Sequence, residues 1–164
     1  MISKKFKYPI VIIAVFIWIG FVCSISFMEA WLKFRAVNVT LPIGLSIGRL
    51  IFDALNKMEW ILAFIVITHL SLGKHRTTFF YLICLAIPIV LLIIQTFLLL
   101  PALNERVEMI LLGKEVSPSF LHLYYLTMEL IKVCCLSMFG VFTFNYYEIG
   151  LKHADVVRWN SINN

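Results

Sequence analysis

Long apolar stretches separated by short polar segments dominate the pattern of this chain. Residues 8–28 and 77–100 contain no Asp, Glu, Lys or Arg, and residues 121–147 contain only Glu129 and Lys132 from that set. Each stretch exceeds the roughly 20 residues that an α-helix needs to cross about 30 Å of hydrocarbon. The pattern therefore predicts three membrane-spanning helices at these positions.

A fourth apolar stretch, residues 60–72, is too short to cross the hydrocarbon at about 1.5 Å of rise per residue. It becomes long enough only if the helix begins near Leu45 and ends near Leu72. Such a helix takes four polar side chains into the membrane, namely Arg49, Asp53, Asn56 and Glu59. We therefore predict four spans, at about 8–28, 45–72, 77–100 and 121–147.

These spans predict an all-α, integral membrane four-helix bundle, with residues 1–164 forming a single transmembrane domain. Short connections favour antiparallel neighbours. Pro88 predicts a kink in the third span, and residues 101–118 predict an outer loop with a short interfacial helix. A polar tail is expected to follow the fourth span.

The distribution of basic residues predicts the orientation, because Lys and Arg near span ends favour the cytoplasmic side. With four spans, seven basic residues lie on the side shared by both termini: Lys4, Lys5, Lys7, Lys74, Arg76, Lys152 and Arg158. Four lie on the opposite side: Lys33, Arg35, Arg106 and Lys114. Both termini are therefore predicted to be cytoplasmic.

Composition supports the assignment to a membrane. The chain is 62% hydrophobic and 14% charged, and its mean hydropathy is +0.95, which excludes an ordinary soluble domain. The net charge of +5 includes no dense basic block, so nucleic-acid binding is not expected. All four cysteines lie within predicted spans, which argues against a disulfide framework: Cys23, Cys84, Cys134 and Cys135.

Two polar stripes share the same spacing. At about 100° per residue, offsets of 0, 3, 7 and 10 place four side chains on one helix face. The fourth span carries such a stripe at His122, Tyr125, Glu129 and Lys132, and the second span carries one at Arg49, Phe52, Asn56 and Glu59.

The two stripes are predicted to face each other inside the bundle. A charge at bilayer depth costs about 2.5–3.5 kcal/mol on insertion scales, so Arg49 or Lys132 should pair with Glu59 or Glu129. Gln95 lies at similar depth on the third span. The first span could add Glu29 and Lys33, while Gly44 and Gly48 form a GxxxG motif that permits close helix approach.

The stripes support several functional hypotheses. The first is a polar pocket in the outer half that binds an amphiphilic small molecule or an unidentified cofactor, with catalysis left open. Its residues would be Arg49, Asn56, Glu59, Gln95, His122, Tyr125, Glu129 and Lys132. The alternative is a non-catalytic subunit or assembly factor, with a membrane-protein partner or a second copy of the chain. A proton or ion pathway, or a transporter, is less favoured, because His69 is the only polar and titratable group expected in the cytoplasmic halves of the spans.

A metal site is not expected. Imidazole and carboxylate are zinc or iron ligands, but His122 and Glu129 are two helical turns apart, about 10 Å along the axis. A ligand pocket predicts a cavity between spans two and four, with Glu59 and Glu129 not both neutralised by direct pairing. A purely structural network predicts close Arg49 and Lys132 ion pairs in a filled core.

The segments "FMEAWLKFRA" and "IGLSIGRLIFDALNKMEW" resemble small four-span bacterial membrane proteins of unknown function, related to the cisplatin-resistance-associated transmembrane protein. Those proteins share a first span that ends in an acidic or proline-rich turn, followed by Gly-Arg-x-x-Phe at the start of the second span. The resemblance covers residues 27–60. Where relatives commonly have Ala-Pro before an aromatic residue, this chain has Glu29-Ala30-Trp31. The resemblance implies an all-helical protein of the bacterial inner membrane and assigns no catalytic residue.

Overall fold

The computed structural model describes residues 7–72 and 79–162 of the chain. Four continuous helices account for nearly all of this part, which contains no β-strand. The first, α1, comprises the α-helical Lys7–Val22, a π-helical segment Cys23–Glu29, a turn of α-helix Ala30–Leu32 and a 3₁₀ turn Lys33–Arg35. The second, α2, is Leu41–Ser71.

The third helix, α3, comprises Phe79–Ile94, the π-helical Gln95–Leu99 and Leu100–Leu111. The fourth, α4, is Leu121–Ile162. The all-α prediction is confirmed.

Named contacts establish that neighbouring helices are antiparallel. Along α1 and α2, Trp18 meets Glu59, while Phe34 lies against Gly44 near the other end. The same relation holds between α2 and α3, through Asn56 with Thr96 and Arg49 with Glu108. It holds between α3 and α4 through Gln95 with Glu129 and Tyr81 with Thr143. The chain is an up-down-up-down bundle. We call the end that carries connections 36–40 and 112–120 the loop end, and the other the terminal end.

The core of the bundle is apolar towards the terminal end. Its fully buried side chains come from all four helices, namely Val15, Trp18, Val22, Leu55, Ala63, Val66, Leu92, Leu136 and Phe139. Large aliphatic and aromatic side chains also cover the outside, including Phe16, Phe64, Phe97 and Phe144. A helix that is apolar all round suits a bilayer rather than water.

Three helices are long and apolar enough to cross a membrane: Pro9–Arg35, Phe79–Leu111 and Leu121–Asn145. This makes the chain an integral membrane protein. Helix α2 has 31 residues and is not among these three. The fourth span therefore stays a prediction.

Each helix extends beyond its predicted span at one end, α3 and α4 the furthest. Helix α3 continues through Pro101 to Leu111, where an outer loop with a short interfacial helix was expected, and α4 runs past residue 147 to Ile162, through the predicted polar tail. Proline in a helix interior clashes with the carbonyl four residues earlier. Pro101 falls in the first turn of Leu100–Leu111, directly after the π-helical Gln95–Leu99, and proline is tolerated at that position.

Other sequence predictions stay untested. Pro88 lies within the uninterrupted Phe79–Ile94, so its kink is still a prediction. Lys4, Lys5, Lys74 and Arg76, four of the residues that predict the orientation, lie outside the described residues. The cytoplasmic location of the termini is therefore still inferred from charge.

The extended part of α3 is fixed by the turn that follows it. Gly113 has φ of 71°, the left-handed conformation common after helix ends. Its N–H donates to the Ile110 carbonyl at 3.0 Å, and the Lys114 N–H donates to Met109 at 3.0 Å. Arg106 also donates to the Ser117 carbonyl. These bonds fix the turn that follows α3 at the loop end.

Candidate functional site

A buried ion triad lies in the centre of the bundle. The Lys132 ammonium is 2.5 Å from Oε1 of Glu59 and 3.1 Å from Oε2 of Glu129. All three side chains are 0% exposed. Glu129 and Lys132 are three residues apart on α4, so the helix itself places them on one face, and α2 supplies Glu59 from across the core.

Uncharged donors complete the surroundings of the triad. The Trp18 indole N–H of α1 donates to Oε1 of Glu59 at 2.8 Å. The Gln95 amide of α3 donates to Oε1 of Glu129 at 3.1 Å and lies 3.5 Å from the Tyr125 carbonyl oxygen. Each of the four helices thus contributes a polar side chain to one point, which fixes their mutual register.

The triad has more acceptors than donors. Two carboxylates share one ammonium, and three oxygens around it accept no hydrogen bond from the described residues: Glu59 Oε2, Glu129 Oε2 and Gln95 Oε1. The Tyr125 hydroxyl is a further donor beside Glu129. Glu129 Oε2 still has its electrostatic contact with Lys132. Buried polar atoms normally find partners, so this surplus marks the triad as more than a closed ion pair.

A cavity of about 310 Å³ lies between the triad and the loop end. Its wall is largely apolar and comes from all four helices, including Phe34, Leu45, Phe52, Leu100, Leu103 and Val107. Its polar groups are Lys33, Arg49, Asn104 and His122, and no acidic side chain of the described residues lines it. The cavity is therefore largely apolar, with two cationic side chains on its wall.

Phe52 connects the wall of the cavity with Tyr125, which lies next to the triad. Its ring packs edge-on against Tyr125, with centroids 5.2 Å apart, and against His122 at 6.1 Å. Tyr125 is 1% exposed and lies one helical turn before Glu129. The cavity and the triad are therefore neighbours, joined by the contact between Phe52 and Tyr125.

The Gly44-x-x-x-Gly48 motif shapes the cavity. A Cβ on Gly44 would lie 2.2 Å from the Phe34 ring, and one on Gly48 would lie 2.6 Å from Nζ of Lys33. Because the two glycines have no Cβ, Phe34 and Lys33 from the end of α1 can pack directly against α2. Nζ of Lys33 also lies 5.4 Å from the centroid of the Phe52 ring, a cation–π distance.

The two cations of the cavity have carboxylate partners at its edge. Lys33 lies 3.3 Å from Glu29, and its side chain is only 9% exposed. Arg49 lies 2.8 Å from Glu108 in the extended part of α3, with both side chains partly exposed. Exposed ion pairs contribute little to stability, so Arg49 can exchange its partner for a ligand at small cost.

A separate polar cluster joins α2 and α3. The Thr96 hydroxyl oxygen accepts from Asn56 Nδ2 at 2.9 Å and from the Trp60 indole N–H at 3.0 Å. The hydroxyl donates to the Leu92 carbonyl at 2.7 Å. Its hydrogen bonds are thus satisfied, which suits a structural role.

The structure divides the predicted site residues among three locations. Glu59, Gln95, Glu129 and Lys132 meet in the triad with Tyr125 beside them, whereas Arg49 and His122 line the cavity. Asn56 belongs to the cluster around Thr96. Of the two cations predicted to pair with Glu59 or Glu129, Lys132 contacts both carboxylates. Arg49 pairs instead with Glu108 in the extended part of α3.

Sequence reasoning missed Trp18, Thr96, Asn104 and Glu108. Trp18 did carry a signal, because tryptophan prefers the membrane interface and this one lies in the middle of an apolar span. Thr96 carried none, since threonine is common in membrane helices as a partner of its own backbone.

The remaining candidates are accounted for by local contacts. His69 Nδ1 lies 2.8 Å from the Ile65 carbonyl oxygen, one turn earlier. All four cysteines are free, in agreement with the prediction of no disulfide framework. Within the described part of the chain, no three His, Cys, Asp or Glu side chains come close enough to hold a metal ion.

Comparison with models of protein families, with curated proteins and with solved structures gave no match to this chain. The resemblance of residues 27–60 to small four-span bacterial membrane proteins therefore stays a prediction. The function must be inferred from the geometry of the cavity and the triad.

Proposed function

We propose that this integral membrane protein binds an anionic amphiphile in the cavity at the loop end of the bundle. The observation that carries the proposal is the composition of the cavity wall, where Lys33 and Arg49 accompany apolar side chains and, among the described residues, Glu29 and Glu108 pair with them from outside the lining. An apolar pocket with a few converging polar groups is the usual form of a small-molecule site.

The chemistry of the wall defines the ligand class. The Lys33 ammonium and the Arg49 guanidinium suit a phosphate or carboxylate, and guanidinium can bind either through two hydrogen bonds. Phe34, Leu45, Phe52 and Leu103 suit an alkyl chain. The volume of about 310 Å³ is at the small end of ligand sites, so it fits a head group with the first part of one chain.

The alternative hypothesis, a subunit or assembly factor, has less support from the geometry. It predicts that the polar stripes are used on another chain. Glu59 and Lys132 instead contact each other within this chain and are fully buried. A membrane-protein partner or a second copy stays a prediction.

A titration with dodecyl phosphate in neutral-detergent micelles tests the proposal, with dodecyltrimethylammonium as the ligand of opposite charge. We expect calorimetry to detect saturable binding of the phosphate only. Lys33→Gln should weaken it roughly 10- to 100-fold, because hydrogen bonds to charged groups contribute about 1.5–3 kcal/mol.

Lys57→Gln is the matched control. Lys57 lies on α2 in an exposed pair with Asp53, outside the cavity, so its loss should leave the affinity unchanged. Equal binding of both amphiphiles, or equal weakening by Lys33→Gln and Lys57→Gln, would contradict the proposal.

A further inference from the structure

The charges of the triad do not balance when every group is ionised. Glu59 and Glu129 would contribute two negative charges and Lys132 one positive charge, and none of the three side chains reaches solvent. An uncompensated charge in a low-dielectric interior costs several kcal/mol or more. The triad therefore requires one further positive charge.

The neighbouring helices do not supply that charge. Among the described residues that contact the triad, Trp18 of α1 and Gln95 of α3 are uncharged. On α4, the Tyr125 phenol lies one turn before Glu129, and on α2 Asn56 is bonded to Thr96. Lys33 lies 5.4 Å from the centroid of the Phe52 ring and pairs with Glu29, and Arg49 pairs with Glu108.

The packing limits which cation can enter. The side chains of the triad and of Gln95 are 0% exposed, and Tyr125 is 1% exposed. A hydrated or partly hydrated metal ion needs several oxygen ligands and the volume to hold them. A proton needs no additional volume, and each carboxyl group has an Oε2 that accepts no hydrogen bond, although that of Glu129 lies 3.1 Å from the Lys132 ammonium.

We infer that the triad is a proton-binding site inside the membrane and that Glu129 holds the proton. Two carboxylates that share a site cannot both be ionised at low cost. Oε1 of Glu59 accepts from Trp18 at 2.8 Å and contacts Lys132 at 2.5 Å, and two such donors favour its ionised form. The contacts of Glu129 with Gln95 and Lys132 are longer, both 3.1 Å, and the Tyr125 phenol lies beside it.

The bound state is then neutral, with Lys132 and Glu59 as an ion pair and Glu129 as a carboxylic acid. Ionisable groups at membrane depth are costly and commonly belong to proton or ion sites. Loss of the proton would leave the triad with a net negative charge, so any process that releases it must bring a compensating cation or water. The inference is independent of what the loop-end cavity binds.

Infrared spectroscopy of the full-length protein in detergent tests this inference directly. The carbonyl stretch of a protonated carboxyl group is separate from the bands of ionised carboxylate. We expect a buried carboxylic-acid band at neutral pH that shifts when glutamate is labelled with ¹³C at its side-chain carboxyl. Labelled wild-type protein gives this result without any substitution, so the test does not depend on a variant that folds.

Variants then assign the band. Glu129→Gln should abolish it, and the exposed-acid control Asp53→Asn should retain it. Glu59→Gln should also abolish it, because Lys132 would then pair with an ionised Glu129; an isolated buried acid would keep its band in that variant.

Three results would overturn the inference: no glutamic-acid band at any pH at which the protein is folded, a band that persists in Glu129→Gln, or a band that appears only after Na⁺ and K⁺ are removed. The last result would assign the site to a metal cation.

Discussion

The Lys132 ammonium lies 2.5 Å from the Glu59 carboxylate, 73 positions earlier in the chain, and both side chains are fully buried. The pair links α2 to α4 across the centre of the bundle. Glu129 completes it from the next turn of α4. A buried pair of this kind does not guarantee stability, but removal of one partner is costly because the other charge is left without compensation.

Lys132→Met should therefore destabilise the protein strongly. It leaves two buried acids without their cation, and the expected loss in free energy of unfolding is about 3–5 kcal/mol. Thermal unfolding in detergent, followed by circular dichroism, measures it. Lys57→Met removes an exposed cation from α2 and should change stability by less than about 0.5 kcal/mol. Similar losses in the two variants would show that burial of the triad is not what matters.

An apolar replacement of the whole triad should recover much of that stability. Well-packed hydrophobic residues often replace buried ion groups at no net cost, so Lys132→Met combined with Glu59→Leu and Glu129→Leu should unfold at a higher temperature than Lys132→Met alone. The same unfolding measurement gives the non-additivity of the three changes. If the triple variant is no more stable than Lys132→Met, packing rather than charge explains the single variant.

The two glycines of α2 should respond differently to alanine. At Gly44 the new Cβ would lie 2.2 Å from the Phe34 ring, which has to move, whereas at Gly48 it would meet the flexible end of Lys33. Gly44→Ala should cost about 1–3 kcal/mol through overpacking, and Gly48→Ala should cost less but weaken dodecyl phosphate binding.

Gly20→Ala is the control for the glycine pair, because a Cβ there would meet nothing within 4 Å. Alanine favours a helix over glycine by about 1 kcal/mol, so this change should be neutral or stabilising. A Gly44→Ala protein as stable as Gly20→Ala would contradict the contact with Phe34.

Thr96→Val should weaken the contact between α2 and α3. The change keeps the shape of the side chain but removes the oxygen that accepts from Asn56 and Trp60. Leaving buried donors without an acceptor costs about 1–3 kcal/mol. Unfolding measurements should show this loss, accompanied by a changed tryptophan fluorescence spectrum from Trp60. Thr127→Val removes an exposed hydroxyl that bonds only to the Leu123 carbonyl of its own helix, and it should change neither property.

The fold was predictable because membrane-spanning helices appear in a sequence as long apolar stretches. The spacing of Glu129 and Lys132 on one helix face also follows from the sequence, and the structure places Glu59 against them. Hydropathy alone does not reveal Trp18, since its indole N–H matters only once Glu59 is opposite it.

The partner of Arg49 could not be predicted, because Pro101 suggests the start of a loop. Helix α3 instead continues through Leu100–Leu111 and brings Glu108 to Arg49. Some of the polar residues belong to the triad and others line the cavity, and Phe52 packs at the boundary, against His122 of the cavity and Tyr125 beside the triad. Such a division depends on side-chain packing and leaves no trace in the spacing of polar residues.

Native mass spectrometry of gently solubilised protein can show whether the loop-end cavity binds an anionic amphiphile. Wild-type protein should retain a bound molecule whose mass and fragmentation identify a phosphate- or carboxylate-bearing lipid. The double variant Lys33→Gln, Arg49→Gln should lose it, while Lys57→Gln should keep it. Wild-type protein that carries no such molecule, even after incubation with dodecyl phosphate, would contradict the claim.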